Sequence, residues 1–207
     1  MFLESFRITG SAVVQIILLA ALGYFLVKNR LLNEEGLNAI GKLVIMATMP
    51  MLIFSQLINN FSFSLYPKWL AFPLISVLIT IIALAVGGIF LKFIKGQEQK
   101  KQFLSLVAFQ NSGYLPLALV GSLLPEDKQS PMFIYIFLFL LGFNIVMFSL
   151  GVYILTFEKA KKFEWKSLFS FPVIAVLLSL LLIFLKLNLF IPEIVLKPLK
   201  MIGDCTL

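Results

Sequence analysis

The sequence has no histidine and a single cysteine, Cys205. The first absence removes the commonest metal ligand and the commonest proton relay at neutral pH. The second excludes an internal disulfide and a thiolate metal cluster. Acidic residues are scarce too, ten Asp and Glu in 207 residues. An intramembrane enzyme needs paired acids, a Ser–Lys pair or histidines inside its spans. None is present, so catalysis is not expected. Nor is a cofactor: Gly36-Leu37-Asn38-Ala39-Ile40-Gly41-Lys42 fits the front of a phosphate-binding loop, but Leu43 stands where Ser or Thr must hold magnesium, and no strand precedes it. A cleavable signal is not expected, since Glu4 and Arg7 precede an apolar run too long for a signal core.

What remains is apolar. The chain is 60% hydrophobic with 22 Phe, and its mean hydropathy is +1.02. That composition belongs to an all-α integral membrane protein and not to a soluble domain. The net charge of +7 is no nucleic-acid signature, because the lysines sit in short segments between apolar runs. The lipid bilayer is the expected surrounding. Runs without Asp, Glu, Lys or Arg predict spans at about 8–27, 43–67, 69–91, 102–125, 129–157 and 167–185. Each is close to the ~20 residues that a helix needs to cross. Trp69 is placed as an interfacial anchor, and Ser130-Pro131 reads as an N-cap followed by proline at the first helical position. A seventh helix is expected from about Met201. The chain stops at Leu207 before that helix can cross, so a truncated N-terminal portion of a longer protein is expected.

The fourth run carries the chemistry. Phe109-Gln110-Asn111-Ser112-Gly113-Tyr114-Leu115-Pro116-Leu117 puts polar residues, Gly and Pro at the middle of a span. Pro116 lacks an N–H and clashes with the carbonyl four residues back, near Ser112, so the ladder must open there. In hydrocarbon the freed groups are satisfied only by neighbouring helices, by side chains such as Asn111 and Ser112, or in a wet cavity. A discontinuous helix of this kind is how secondary transporters build a midplane site. The half-helix beginning near Tyr114 offers unpaired amides and its positive dipole end to an anion. Asn111, Ser112, Gly113, Tyr114 and Pro116 are therefore candidate substrate contacts. Thr48 and Pro50, a polar residue close to a helix-interrupting proline, are expected to line the same cavity. Gly87-Gly88 is read as a close helix approach.

Two patterns concern topology. Lys28, Arg30, Lys42, Lys92, Lys95, Lys100, Lys101, Lys159, Lys161, Lys162 and Lys166 fall on one side of the spans. Arg7, Lys68, Lys128, Lys186, Lys197 and Lys200 fall on the other. The richer side is the cytoplasmic one, which puts the N-terminus outside. An offset of 158 residues pairs Lys28 with Lys186, Glu35 with Glu193, Lys42 with Lys200 and Thr48 with Thr206. Charged residues are scarce enough here for those matches to carry weight. Five spans separate the copies, an odd number, so the copies are inverted.

Leu32-Asn33-Glu34-Glu35-Gly36-Leu37-Asn38-Ala39-Ile40-Gly41-Lys42-Leu43-Val44, running into Met49-Pro50-Met51-Leu52-Ile53-Phe54, resembles the first loop and second helix of the auxin efflux carrier (AEC) family. The Phe109–Leu117 stretch resembles the family's crossing fourth helix. Phe143-Asn144 with Ser149-Leu150-Gly151 resembles its fifth, which adds Asn144 to the candidate site. The resemblance implies ten helices in two inverted five-helix repeats. Residues 1–157 would form the first repeat, and 158–207 the start of the second. It implies a plasma-membrane, multi-pass permease for small organic anions, auxin in plants and malate-like carboxylates in bacteria. A second copy of the chain is a candidate partner. The competing expectation, resting on truncation alone, is a non-transporting membrane subunit or an inactive gene product.

Overall fold

The computed structural model describes residues 2–156 and 168–206, and among these it contains helices and turns but no strand. The ordered elements are α1 (Phe2–Lys28), α2 (Glu34–Leu43), α3 (Met49–Asn60), α4 (Ala71–Phe90), α5 (Gln97–Ala108), α6 (Tyr114–Leu123), α7 (Glu126–Val146), α8 (Val152–Thr156), α9 (Phe171–Phe184) and α10 (Glu193–Asp204). The expected domain boundary at 157/158 lies outside the described residues, as do Lys159, Lys161, Lys162 and Lys166. Three continuous helical stretches, Glu34–Asn60, Ala71–Phe93 and Asp127–Ile154, are long and apolar enough to cross a membrane.

Several ends differ from those expected. The second span does not start at residue 43 and run to 67. It begins at Glu34, where Asn33 caps the helix by accepting the Gly36 N–H at 2.8 Å. It continues through the π-helical turn Val44–Thr48 into α3 and ends at Asn60. The charges of α2 lie on one face of an amphipathic helix, so they do not interrupt it. Ser130-Pro131 does not open α7. That helix starts at Glu126 behind Pro125, with Asp127 in its first turn, where an acidic side chain suits the positive dipole end. Gln129 Nε2 ties this turn down by donating to the carbonyls of Gly121 and Leu124, at 3.2 and 2.8 Å. Likewise α10 begins at Glu193 and not near Met201, with Pro198 inside it.

Packing is dense along one seam. Met49, Leu52, Ile53 and Leu57 of α3 are buried against α9 and α10, while α4 lies along α7. The other faces carry exposed Leu, Ile and Val, as lipid-facing helices do. Three buried hydroxyls are satisfied within their own helices: Ser76 donates to Pro73 O at 2.8 Å, Thr80 to Ser76 O at 2.8 Å and Ser179 to Ala175 O at 2.7 Å. The 61–70 segment closes one end with rings. Tyr66 stacks on Phe61, Tyr135 of α7 stacks on Phe72, and Trp69 meets Phe63 edge-on.

Three glycines set the helix separations. A Cβ on Gly142 of α7 would collide with the Pro73 carbonyl and the Ser76 hydroxyl of α4. A Cβ on Gly203 of α10 would lie 2.6 Å from the backbone of Leu52. Gly87 faces Leu104 and Val107 of α5 at 3.2–3.3 Å, whereas Gly88 faces open space. Of the Gly87-Gly88 pair, only the first serves close approach. Gly142→Ala and Gly203→Ala should each cost about 1–3 kcal/mol of stability, read as a lowered thermal midpoint in detergent. Gly88→Ala should be neutral or slightly stabilising. Equal midpoints for all three would remove this account of the packing.

Candidate functional site

The fourth apolar run is broken. Helix α5 ends at Ala108, and Phe109 closes it with backbone angles of −116° and 63° while its amide still bonds Ser105 O at 2.9 Å. Helicity resumes only at Tyr114, after Gly113 at φ −114° and ψ −78°. The opening therefore covers residues 109–113. Pro116 is the third residue of α6, where an amide would have no acceptor inside its helix, so the missing N–H costs little there. The Asn111 side chain reaches forward to accept the Leu115 N–H at a long 3.4 Å, and the Ser112 hydroxyl leans toward Gln110 O at 3.4 Å. Among the described residues, the amides of Gly113 and Tyr114 have no partner.

The break is held from one side. Phe109 meets Phe143 of α7 edge-on with centroids 6.2 Å apart. It also lies so close to Gly151 that a Cβ there would be 2.9 Å from the ring. Gly113 leaves room for Leu140, 3.2 Å from the position a Cβ would take. Gly151 ends the π-helical turn Met147–Gly151 between α7 and α8. Such turns recur at functional sites, because they displace backbone groups from the regular ladder.

A cavity of about 270 Å³ opens on the break. Asn111, Ser112, Gly113 and Tyr114 line it together with Asn144 of α7, so five of the eight candidate residues share one space. Ile45 of the first π-helical turn and Met49 of α3 form part of the opposite wall. No charged side chain lines it. Pro116 is placed elsewhere, in an aromatic-walled groove of about 410 Å³ with Phe72, Tyr135 and Phe139, on the far side of the same Gln110–Ser112 segment. Thr48 and Pro50 do not line the cavity. Thr48 is buried and accepts a hydrogen bond from the Thr206 hydroxyl at 2.8 Å, which turns its polar group away from any ligand.

Among the lining residues outside the candidate set, Ser170 carries an unexpected polar group. Ser170 precedes α9, and with Pro172 it borders the same cavity. Its hydroxyl is buried without a hydrogen-bond partner, and it does not cap its own helix. The signal was present as Ser170-Phe171-Pro172, a cap residue followed by proline in the first turn. The N-termini of α6 and α9 thus both border one uncharged cavity. Each brings amides and the positive end of a dipole, so the cavity favours negative charge without containing a cation.

Comparison with known proteins adds the following. The family described as Membrane transport protein matches residues 9–207. An uncharacterized transporter of Schizosaccharomyces pombe is 27% identical over 117 residues, which is 56% of this chain and 26% of that protein. The matched stretch is thus well under half of that relative's length. No solved structure matches.

The geometry makes the break water-accessible, while Leu117, 2% exposed, is packed away. With Cys205 replaced by Ser, Ser112→Cys should react with a water-soluble thiol reagent at least about tenfold faster than Leu117→Cys. Equal rates would mean that the break is sealed by packing.

Proposed function

The chain belongs to the membrane transport protein family, the auxin efflux carriers, and on that premise we propose that it is part of a secondary transporter carrying a small organic anion across the plasma membrane. One observation carries this reading: the N-terminus of α6, with the Gly113 and Tyr114 amides unpartnered, opens on a cavity lined by Asn111 and Asn144 and free of charge. An anion is held there by dipoles and neutral donors. Asn111 and Asn144 supply side-chain N–H groups, Ser112 and Ser170 supply hydroxyls, and the two helix ends supply the field. The absence of a full positive charge suits the task, because a carried anion must also leave.

In this reading residues 1–157 form a first five-helix repeat and 158–207 begin an inverted second one. The Thr48–Thr206 hydrogen bond supports it, since the two residues are equivalent at the offset of 158. The chain spans the membrane several times with its N-terminus outside. It is a carrier and not an enzyme.

Two measurements test this. In cells expressing the native reading frame that contains the chain, Asn111→Ala should raise the half-saturating concentration for uptake of a carboxylate such as malate about tenfold. Pro116→Ala should do more damage, because an N–H restored at this position lets the helix extend back toward Ser112 and occupy the free amides. Unchanged transport in both variants at equal expression would overturn the site. For orientation, single cysteines at positions 95 and 161 should be protected from an impermeant reagent applied outside, and one at position 128 should react. Labelling of all three from one side would overturn the topology.

A further inference from the structure

A second polar cavity lies away from the break. It has a volume of about 190 Å³ and is lined by Ser55, Gln56, Asn59 and Asn60 of α3, Ser130 of α7 and Lys200 of α10. Every lining side chain is polar, which is unusual for a space between helices whose other contacts are apolar. Ser55 and Gln56 are buried in its floor, Ser130 is half-buried, and Asn59, Asn60 and Lys200 are exposed at its rim; a buried polar group is stable only when it finds a partner.

The partners present are few and leave a particular remainder. The Ser55 hydroxyl donates to Leu52 O at 3.1 Å, and Asn60 Nδ2 donates to Gln56 Oε1 at 3.0 Å. The second bond occupies the acceptor of the Gln56 carboxamide and leaves its N–H groups free. Gln56 is only 8% exposed, so those donors face the cavity or nothing. Asn59, Ser130 and Lys200 make no side-chain hydrogen bond or ion pair among the described residues. Asp204, one turn beyond Lys200, does not pair with it. No acidic residue lines the space. The unspent groups are an ammonium, two carboxamides and a hydroxyl, all able to donate. The C-terminal dipole of α3 opposes an anion by about half a charge, against the full charge of Lys200.

We propose that this cleft between α3, α7 and α10 binds an oxyanion group of the phosphate type, distinct from the site at the break. Lys200 supplies the charge, and Gln56, Asn59 and Ser130 supply directed donors. The same chemistry is offered by free phosphate and by the headgroup of an anionic lipid.

The test uses the full chain in dodecyl maltoside micelles, which contain no phosphate, with thermal unfolding as readout. One arm adds inorganic phosphate at constant ionic strength; the other adds phosphatidylglycerol. The midpoint should rise in at least one arm. Lys200→Gln should raise the half-saturating concentration about tenfold, while Lys197→Gln, on the same helix but outside the cleft, should leave it within about twofold. A rise with phosphate identifies a free anion, and a rise with the lipid alone identifies a headgroup; both support the site. No rise in either arm, or equal loss in the Lys200 and Lys197 variants, overturns it. Because transport plays no part in the readout, the outcome is independent of the carrier reading.

Discussion

A chain in hydrocarbon must satisfy its own backbone, and this constraint governs the structure from end to end. Each unpaired amide or carbonyl in lipid costs about 2–7 kcal/mol depending on the reference state. The helices meet the demand internally, down to hydroxyls such as Thr80 and Ser179 that return their protons to carbonyls of their own turns. Among the described residues, the 109–113 segment interrupts this ladder, and Gly113 and the following Tyr114 present amides with no partner. Such an exception persists in a membrane only beside water or a ligand. The cavity at the break is therefore a requirement of the break, and the two have to be explained together.

Rigidity at the break comes from places where side chains are missing. Gly142 lets α7 press against the Pro73 carbonyl of α4, Gly151 lets the π-helical turn rest on Phe109, and Gly113 admits Leu140. These contacts converge on one stretch of α7 and its continuation. That stretch also contributes Asn144 to the cavity, so the helix that supports the break also presents a side-chain amide to it. Displacing α7 would move both at once. The site is in this sense a property of helix spacing as much as of polar residues.

Much of this was legible in the sequence, for identifiable reasons. Asn111, Ser112 and Gly113 stood out because polar residues in the middle of an apolar run have no cheap explanation in a bilayer. The spans were legible from composition, but their ends were not. Charge normally ends a span, but the amphipathic α2 carries its charges along one face while continuing into the apolar α3. Proline reads as a helix start at Pro131, yet Pro131 and Pro198 both lie inside helices. The π-helical turns Val44–Thr48 and Met147–Gly151 have no sequence signature, because they depend on how a helix is strained by its neighbours. Ser170 was missed because a serine before a helix is ordinary. Only the fold shows that its hydroxyl is buried, unpaired and beside a cavity.

Thr48 presents the opposite case, a residue noticed for one reason and explained by another. It was expected to face a ligand, and it faces Thr206 instead. These are the residues that the offset of 158 aligns. Residues related by a local two-fold axis touch one another only where the axis passes between them, and the contact must then be self-complementary. A hydroxyl meets that condition, since it both donates and accepts, whereas the Lys and Glu pairs at the same offset would repel their own copies. The aligned charges can be equivalent only away from the axis, and the aligned threonines can sit on it. An inverted pair of helices requires such a division, and the Thr48–Thr206 contact supports the proposed repeat relating the α2–α3 stretch to α10.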